Sequence, residues 1–186
     1  MVPAVSLAIE RPEPIGMPSA DLARLYRDHV DHVWRGLRRL GVHEASVDDA
    51  VQEVFVVVHR RFGEFEGRSA LRTWIYGICI NVARNYRRTQ RRVHEELEEA
   101  AIEGTTLDPE QQAARASKVR LLDSLLQQLD DDKREVLVLA EIEGLSAPEI
   151  GELLDVKVPT VYTRLRAAKI QLRGLCGALS GSNEID

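Results

Sequence analysis

Apolar residues recur every three or four positions through most of this 186-residue chain, which is the spacing that buries one face of an α-helix. The first such segment has the apolar positions Leu22, Leu25, Val30, Val33, Leu37 and Leu40. Residues 54–58 (VFVVV) are the exception, because a run of β-branched residues is also typical of a strand. A helix is favoured there by the wider spacing of Val47, Val51, Val54, Val58 and Phe62, and no second strand-like run is present to pair with it. The sequence therefore predicts an all-helical fold.

Capping residues and glycines place the first three helices. Ser19 is expected to cap the first helix, and Gly41 to end it. Residues 46–49 (SVDD) have the form of a capping box, so a second helix is predicted from there to about Phe62. After a glycine-containing loop, a third helix begins near Leu71 and continues into a run of arginines.

An acidic stretch divides the chain. Residues 95–110 contain seven Asp or Glu and no Lys or Arg, and Gly104 and Pro109 interrupt any long helix. Such a stretch is typical of a solvated linker. The predicted fold is all-α, with two small helical domains joined by an acidic linker, the second a helix-turn-helix four-helix domain. The predicted divisions are a disordered tail 1–18, a first domain 19–93, the linker 94–112, a second domain 113–177 and a tail 178–186.

The second domain ends with the spacing of a helix-turn-helix. Its helices are predicted at about residues 111–129, 132–143, 147–154 and 159–176. A capping box at Ser146 and Glu149 opens the third helix, and Pro159 opens the last. In a helix-turn-helix the second helix lies in the major groove of DNA. Five cations and no acid lie between Lys157 and Arg173, which suits contact with phosphates. An ordinary helical hairpin with a solvated basic face is the alternative.

A further basic segment lies in the first domain. Residues 84–92 (RNYRRTQRR) contain five arginines and no acid. Two separate basic helices on one small protein indicate two contacts along one nucleic acid. The alternative for the arginines is a solvated helix end, since cations there also suit the helix dipole. The aromatic residues between Phe62 and Trp74 are candidates either for stacking on exposed bases or for the core.

The overall charge limits how the protein meets DNA. The formal net charge is -5 in spite of the two basic segments, which argues against indiscriminate coating of DNA. The free protein is therefore expected to bind DNA weakly, with the acidic linker shadowing the basic helices. It is expected to depend on a partner that holds it on the DNA.

Other functional classes find little support in the sequence. Cys79 and Cys176 lie far apart and outside metal or redox spacing, which is typical of a reduced cytoplasm. The five histidines are scattered, so neither a metal site nor a cofactor is expected, and no catalytic grouping indicates an enzyme. No apolar run reaches the roughly 18 residues of a membrane span, and the first eighteen residues lack the pattern of a secretion signal.

Three groups of motifs together resemble the extracytoplasmic-function (ECF) sigma factors, the smallest initiation subunits of bacterial RNA polymerase. Residues 48–55 (DDAVQEVF) resemble the segment that docks on the polymerase clamp. Residues 71–81 (LRTWIYGICIN), followed by Arg87 and Arg88, resemble the helix that addresses the −10 promoter element. The motifs that resemble the −35-reading module are residues 134–139 (REVLVL), 143–150 (EGLSAPEI) and 160–165 (TVYTRL).

The resemblance implies a role for particular residues. Polymerase binding is implied for Asp48, Asp49, Gln52, Glu53 and Phe55. Contact with the −10 element, including capture of a flipped base by the loop before the third helix, is implied for Phe65, Arg68, Ser69, Arg72, Asn81, Arg84, Arg87 and Arg88. Contact with the −35 element is implied for Pro159, Thr160, Tyr162, Thr163, Arg164, Arg166 and Lys169. Arg164, one turn beyond Thr160, is expected to read guanine edges.

The implied function is promoter-specific initiation without catalysis. The implied partners are core RNA polymerase, promoter DNA and a cognate anti-sigma factor, often membrane-bound, while the chain itself does not insert into a membrane. Three positions depart from the family pattern: Pro159 replaces a glycine, Ala168 an arginine and Asn85 an acid. A stand-alone helix-turn-helix regulator, whose first domain senses a ligand or dimerises, is the alternative class and would bind DNA without polymerase.

Overall fold

Helices make up the ordered core of the protein. The computed structural model describes residues 18–98 and 121–181, and no strand occurs in those two stretches. The first stretch contains α1 (Ser19–Arg39), α2 (Glu44–Arg61), a short 3₁₀ turn (Phe62–Glu64) and α3 (Leu71–Glu98). The second contains α4, which is helical over residues 121–127, followed by α5 (Asp131–Glu141), α6 (Ala147–Leu154) and α7 (Val158–Gly181). The predicted all-α fold is confirmed.

Helices α1, α2 and α3 pack against one another, and α7 packs against both α5 and α6. The valines that left the strand alternative open are part of the helical core, since Val54 and Val58 are fully buried in α2. Burial of one face of each helix provides the main stabilisation, because about 25 cal/mol is gained per Å² of apolar surface removed from water. The helical spacing of the apolar residues therefore predicted the packing correctly.

Several predicted helix boundaries were wrong. The first helix has Pro18 at its N-cap and no side-chain cap, so Ser19 is its first helical residue rather than its cap. The second begins at Glu44, where His43 accepts a hydrogen bond from the backbone of Ala45, so residues 46–49 do not form its cap. A histidine is an uncommon cap, and the more familiar Ser-containing pattern drew the boundary two residues too late.

Two helices are longer than predicted. Helix α3 continues through the arginine run to Glu98, so residues 94–98 of the predicted linker are helical. Helix α7 extends to Gly181, beyond the predicted end near Cys176. The extension of α3 is compatible with its sequence, because glutamate is a good helix former, whereas the extra residues of α7 include two glycines (Gly177 and Gly181). Residues 1–17 of the predicted tail 1–18, residues 99–120 and residues 182–186 of the predicted tail 178–186 lie outside the described residues, whereas residues 178–181 are helical.

The boundaries of α6, the first helix of the helix-turn-helix, were predicted correctly. Ser146 caps α6, and the Glu149 carboxylate accepts hydrogen bonds from its backbone N–H (2.8 Å) and its hydroxyl (2.6 Å). Asp155 ends α6 in the left-handed region, with φ of 55°, which aspartate tolerates better than β-branched residues do. The next helix begins at Val158, one residue before the predicted Pro159. Among the described helices, none is both long enough and apolar enough to cross a bilayer.

Tyr76 provides a test of the packing in the first half. Its ring is buried in α3, and its hydroxyl has no hydrogen-bond partner among the described residues. Because an unsatisfied buried hydroxyl costs about 1–3 kcal/mol, we expect Tyr76→Phe to raise the free energy of unfolding by about 1 kcal/mol. Urea denaturation of both proteins measures the difference, and the exposed Tyr162→Phe serves as the control with no expected change. A loss of stability in Tyr76→Phe would contradict the unsatisfied state of the hydroxyl.

Candidate nucleic-acid and polymerase interface

The arginines of α3 divide into two groups. Arg88 and Arg92 are exposed on the outer side of the helix. Arg87 is only 6% exposed, because its side chain points towards the end of α1 and towards α5. One of its terminal nitrogens donates to the carbonyl of Leu40, and the other donates to the Glu135 carboxylate at 2.7 Å. The predicted phosphate contact of Arg87 is therefore occupied in this structure by groups of the protein itself.

Arg84 makes the most complete of these contacts. Its Nε donates to Glu135 Oε1 at 3.0 Å, and its Nη2 donates to Glu135 Oε2 at 2.6 Å. This two-point geometry is the strong form of an arginine–carboxylate pair. The hydrogen bonds raise the pKa of Arg84, against the smaller opposing effect of burial. Glu135 itself is 1% exposed, so one buried carboxylate of α5 holds two arginines of α3.

Asp131 at the start of α5 extends the same contact along α3. Its carboxylate lies 2.6 Å from Arg91 Nη2 and 3.2 Å from Arg87 Nε. A groove of about 340 Å³ runs along this edge, and its lining residues are Arg84, Arg87, Arg88, Arg91, Arg92 and Asp131. Five guanidinium groups along one groove form a site for a polyanion, and the acids of α5 close one side of it.

A second cavity, of about 360 Å³, lies at the start of α3, between the two halves of the described structure. The first half supplies several residues predicted to contact the −10 element, together with their neighbours: Arg68, Ser69, Thr73, Trp74 and Asn81. Helix α6 supplies Glu149, Glu152 and Leu153. The cavity thus brings together Arg68, Ser69 and Asn81 but neither Phe65 nor Arg72, and the first helix of the helix-turn-helix covers it.

The aromatic residues beside this cavity pack on one another and partly on the core. The rings of Phe65 and Trp74 have centroids 5.4 Å apart, and Phe62 meets Trp74 edge-on at 6.4 Å. All three are half-buried, and Phe62 and Trp74 pack against the hydrophobic core. The two interpretations are compatible for Trp74, since its ring packs against the core and also lines the cavity.

Arg72, also predicted to contact the −10 element, joins α1 to the end of α5. Its Nε donates to His32 Nε2 at 3.2 Å, and its Nη2 donates to Glu143 Oε2 at 3.1 Å. His32 accepts only when this nitrogen carries no proton. Burial, and then the charge of Arg72, lower the pKa of His32 to about 4. Burial raises the pKa of the Glu143 carboxyl, which Arg72 opposes.

The exposed side of α7 forms one stripe. The exposed residues near its start are Pro159, Tyr162, Thr163, Arg166 and Ile170. Tyr162 is 60% exposed, and the Thr163 hydroxyl donates to the carbonyl of Pro159 at 2.9 Å. This stripe carries four of the residues predicted to contact the −35 element. It faces away from the core formed by Val161 and Ala168.

Arg164 and Lys169 lie beside the stripe and are paired with acids of α5. Arg164 is 27% exposed, and its Nη2 lies 2.5 Å from Asp132 Oδ2. Lys169 Nζ lies 2.7 Å from Glu141 Oε1. The partly buried Thr160 also lies off the exposed stripe. The structure therefore presents Tyr162, Thr163 and Arg166 outward, whereas Arg164, which was expected to read guanine, is held against α5.

The three positions that depart from the family pattern have different surroundings in the structure. Ala168 is fully buried in the core of the second half, so a cation at this position would not face outward. Asn85 is exposed, and its side-chain oxygen accepts from Arg88 at 3.4 Å. Ala168 therefore removes no cation from an exposed surface, and Asn85 replaces an acid rather than a cation. Pro159 lies in the first turn of α7, where its missing N–H is not needed.

The predicted polymerase-binding residues lie on α2. Asp49, Gln52 and Glu53 are exposed on one side of the helix, together with Val56, which is 47% exposed. Asp48 is exposed as well and accepts a hydrogen bond from the Trp34 indole at 3.0 Å, so it also ties α2 to α1. Phe55 is buried beneath this surface, and its ring lies 4.6 Å from that of Tyr26. Phe55 supports the surface from inside and is not part of it.

Sequence reasoning missed the acids that face α3. Asp131, Glu135 and Glu143 were not singled out, although Glu135 lies within a recognised motif. The only signal was a glutamate at a helix position otherwise surrounded by apolar residues, as in residues 134–139 (REVLVL). No group of three metal-ligating side chains occurs within the described stretches.

Comparison with known proteins identifies a family for each half of the chain. The sigma-70 region 2 family matches residues 25–93, and the sigma-70 region 4 family matches residues 120–172. The ECF RNA polymerase sigma-E factor of Haemophilus influenzae is 32% identical over 145 residues, which is 72% of this chain and 76% of that protein. The RNA polymerase sigma factor YlaC of Bacillus subtilis is 33% identical over 152 residues, 80% of this chain and 88% of that one.

A solved structure shows the same fold. The structure of CnrH in complex with the cytosolic domain of CnrY matches with a TM-score of 0.63 and 26% identity, over 87% of this chain and 91% of that one. CnrH of Cupriavidus metallidurans is an RNA polymerase sigma factor. The chain belongs to the ECF sigma factors of the sigma-70 family, which are regulatory subunits that give RNA polymerase its promoter specificity.

His32 gives a measurable test of the contact between the two halves. We expect its imidazole to titrate near pH 4 in the folded protein, and Arg72→Gln to raise that midpoint by removing a neighbouring cation. Two-dimensional NMR of the ring protons over pH 3 to 8 measures both. A midpoint near the ordinary value of 6.5 in the wild-type protein would show that the imidazole is solvated and that α3 and α5 are apart in solution.

Protonation of His32 also changes the free energy of unfolding. Because the folded-state pKa of His32 lies below its unfolded value of 6.5, the unfolded chain binds the proton first. The contribution of His32 is therefore present above pH 6.5 and is lost as the pH falls from 6.5 through about 4. The raised pKa of the Glu143 carboxyl has the opposite effect on stability over the acidic part of this range.

Proposed function

We propose that the exposed stripe of α7 reads the −35 element, that the arginine side of α3 and the adjoining cavity bind the melted −10 element, and that α2 docks on core RNA polymerase. The observation that carries this assignment is the presence of three separate surfaces on one chain that matches sigma-70 regions 2 and 4. A stand-alone regulator needs neither the cavity beside Trp74 nor an exposed acidic surface on α2. The chain is proposed to act in the bacterial cytoplasm, where RNA polymerase and DNA are found.

The role of α3 follows from its chemistry. Arg88 and Arg92 are exposed in a groove lined by five arginines, and neutralised phosphates release counterions in proportion to the number of contacts. Arg84 and Arg87 add to this site once Glu135 leaves them. The cavity lined by Arg68, Ser69 and Trp74 accepts an unstacked base, whose unstacking cost of a few kcal/mol is offset by ring and polar contacts.

The role of α7 follows from its exposed stripe. Tyr162, Thr163 and Arg166 project from the first two turns of the second helix of a helix-turn-helix, which is where base edges are met in the major groove. Arg166 is the exposed arginine among them and can form two hydrogen bonds to guanine. Arg173 and Lys169 lie farther along the helix and suit phosphate contacts.

An anti-sigma factor is proposed as a further partner. CnrH is a relative whose solved structure is a complex with the cytosolic domain of CnrY. A regulator of that kind would bind the same surfaces that polymerase and DNA use. Pull-down with the product of a neighbouring gene, followed by loss of transcription in its presence, tests this partnership.

Run-off transcription tests the proposed function as a whole. Purified chain and core polymerase are incubated with a promoter library randomised at the −35 and −10 positions, and transcripts are sequenced. The expected result is selective transcription that requires both components. If the chain protects DNA from digestion equally well without polymerase, and transcription does not depend on it, the stand-alone regulator is the correct class.

Arg166 and Arg164 form a matched pair for the −35 assignment. Arg166→Ala is expected to reduce discrimination among −35 sequences by about 1–3 kcal/mol, the value of a bidentate guanine contact, while −10 preference stays unchanged. Arg164→Ala is expected to lower transcription from all −35 sequences to the same extent, since the Arg164 guanidinium is paired with Asp132 and lies off the stripe. Transcription from the two libraries measures both. If Arg164→Ala loses selectivity among −35 sequences and Arg166→Ala does not, Arg164 rather than Arg166 reads the −35 bases.

The surface of α2 is tested by a double substitution. Asp49→Arg combined with Gln52→Ala is expected to weaken binding to core polymerase about tenfold or more, because it reverses a charge at a proposed interface. The fold should be retained, since both side chains are exposed. Fluorescence titration with labelled polymerase measures the affinity, and Asp28→Arg, a charge reversal on the exposed side of α1, is the control. Equal affinity of the double variant and the control would move the polymerase interface away from α2.

A further inference from the structure

Two acidic side chains of α2 accept hydrogen bonds from aromatic residues of the neighbouring helices. The indole Nε1 of Trp34 in α1 donates to Asp48 Oδ1 at 3.0 Å, and the hydroxyl of Tyr86 in α3 donates to Glu53. We propose that these two aromatic residues are positioning residues for polymerase binding, which hold the acids in the orientation that core RNA polymerase binds. This inference rests on the proposed function, because it takes α2 to be the surface that docks on polymerase.

The two donors lie at opposite edges of the proposed docking surface. Asp48 and Glu53 are five positions apart, which separates them by about 140° around the helix. One acid therefore meets α1 and the other meets α3, while the exposed Asp49 and Gln52 lie between them on the helix surface. Each edge of the surface thus has one acid and one aromatic donor from an adjoining helix.

The contact with Trp34 orients Asp48 without using up its binding capacity. The indole N–H can only donate, and it occupies one of the two carboxylate oxygens. Asp48 remains exposed, so its Oδ2 can still accept a hydrogen bond from a cation of the polymerase. A side chain that is fixed before association loses less conformational entropy when the complex forms. Trp34 therefore favours binding through the orientation of Asp48, without touching the polymerase itself.

Tyr86 holds Glu53 in the corresponding way from α3. Burial raises the pKa of the Tyr86 hydroxyl, the charges of Glu53 and Asp49 raise it further, and the hydrogen bond to Glu53 acts in the same direction. The hydroxyl therefore keeps its proton at neutral pH and remains a donor. Because Glu53 is exposed, its second oxygen is available to a partner, as in Asp48.

Neither contact is needed to pack the three helices together. Their common core consists of apolar side chains, among them the fully buried Val33, Val54 and Ile75. Both acids are exposed, and an exposed carboxylate that loses a donor can bond to water instead, at little cost in stability. What is lost is the fixed direction of the charge. A small effect on folding and a larger effect on polymerase affinity therefore distinguish a positioning role from a structural one.

Trp34→Phe and Tyr86→Phe in the full chain test the proposal, because each keeps a ring and removes the donor. Binding to labelled core polymerase is measured by fluorescence titration in the absence of DNA, and stability by urea denaturation. Each variant is expected to bind about two- to tenfold more weakly, with little change in the free energy of unfolding. Val30→Ala removes core packing from α1 and no hydrogen bond. This control is expected to lose stability and to keep its polymerase affinity.

A double-mutant cycle tests whether each ring acts through its acid. Asp48→Ala is expected to weaken polymerase binding, and Trp34→Phe should cause no further loss when combined with it. Tyr86→Phe should likewise have no further effect in the Glu53→Ala background. If a ring substitution causes the same loss with and without its acid, that ring acts on the polymerase by another route and is not a positioning residue.

The indole N–H provides a spectroscopic signature of the contact. The chain has two tryptophans, so Trp34→Phe identifies the Trp34 indole signal in a nitrogen–proton correlation spectrum. This signal is expected to move upfield in Asp48→Ala, where the acceptor is lost, and to stay near its wild-type position in Asp48→Asn, where a side-chain oxygen remains. An indole signal that is unchanged in Asp48→Ala would show that the hydrogen bond does not form in solution.

The outcomes separate this proposal from the docking assignment. Full polymerase affinity in both phenylalanine variants overturns the proposal, and so does a loss that Val30→Ala reproduces at equal loss of stability. Full affinity in both Asp48→Ala and Glu53→Ala overturns it as well. The docking surface is judged by the double variant Asp49→Arg with Gln52→Ala, which changes neither of the two contacts. If that variant loses affinity and the phenylalanine variants do not, α2 remains the docking surface and the positioning role is rejected.

Discussion

The carbonyl group of Leu40, just after α1, is the point at which the two halves of the described structure are joined. It accepts hydrogen bonds from the guanidinium groups of Arg87 in α3 and Arg134 in α5. Two arginines can approach one carbonyl only if acids neutralise them, which Asp131 and Glu135 do. The next residue, Gly41, has φ of +92°, and a Cβ atom there would lie 2.5 Å from Arg134. The turn that ends α1 is therefore shaped around these side chains.

The pairing of charges, rather than the net charge, controls which basic surface is available. A net charge of -5 lowers the attraction of the whole molecule to DNA, but this effect is spread over the surface and is screened within about 10 Å in ordinary salt. A carboxylate in direct contact with a guanidinium acts without such screening. The arginines of α3 are blocked by α5 in this way, whereas Tyr162 and Arg166 of α7 are not. The basic character of a segment therefore does not by itself establish that it can bind DNA.

The buried side of each helix could be predicted from the sequence, whereas several helix boundaries could not. The helical period fixed the buried side of each helix, and the capping box at Ser146 fixed the start of α6. The second helix was placed two residues late, because the cap is His43 and a more typical capping pattern follows it. The acidic residues after the arginine run were taken to begin the linker. Glutamate favours helices, so charge alone did not end α3 before Glu98.

The contacts across the site were beyond local reasoning, since Arg84 and Glu135 are 51 positions apart. Their meeting depends on neighbouring residues of α5 that point in different directions, about 100° apart around the helix. Arg134 donates to the carbonyls of Leu126 and Leu129, which closes the turn between α4 and α5. Glu135 instead faces α3. Two neighbouring residues of α5 therefore have different roles, since Arg134 orders the second half and Glu135 attaches it to α3.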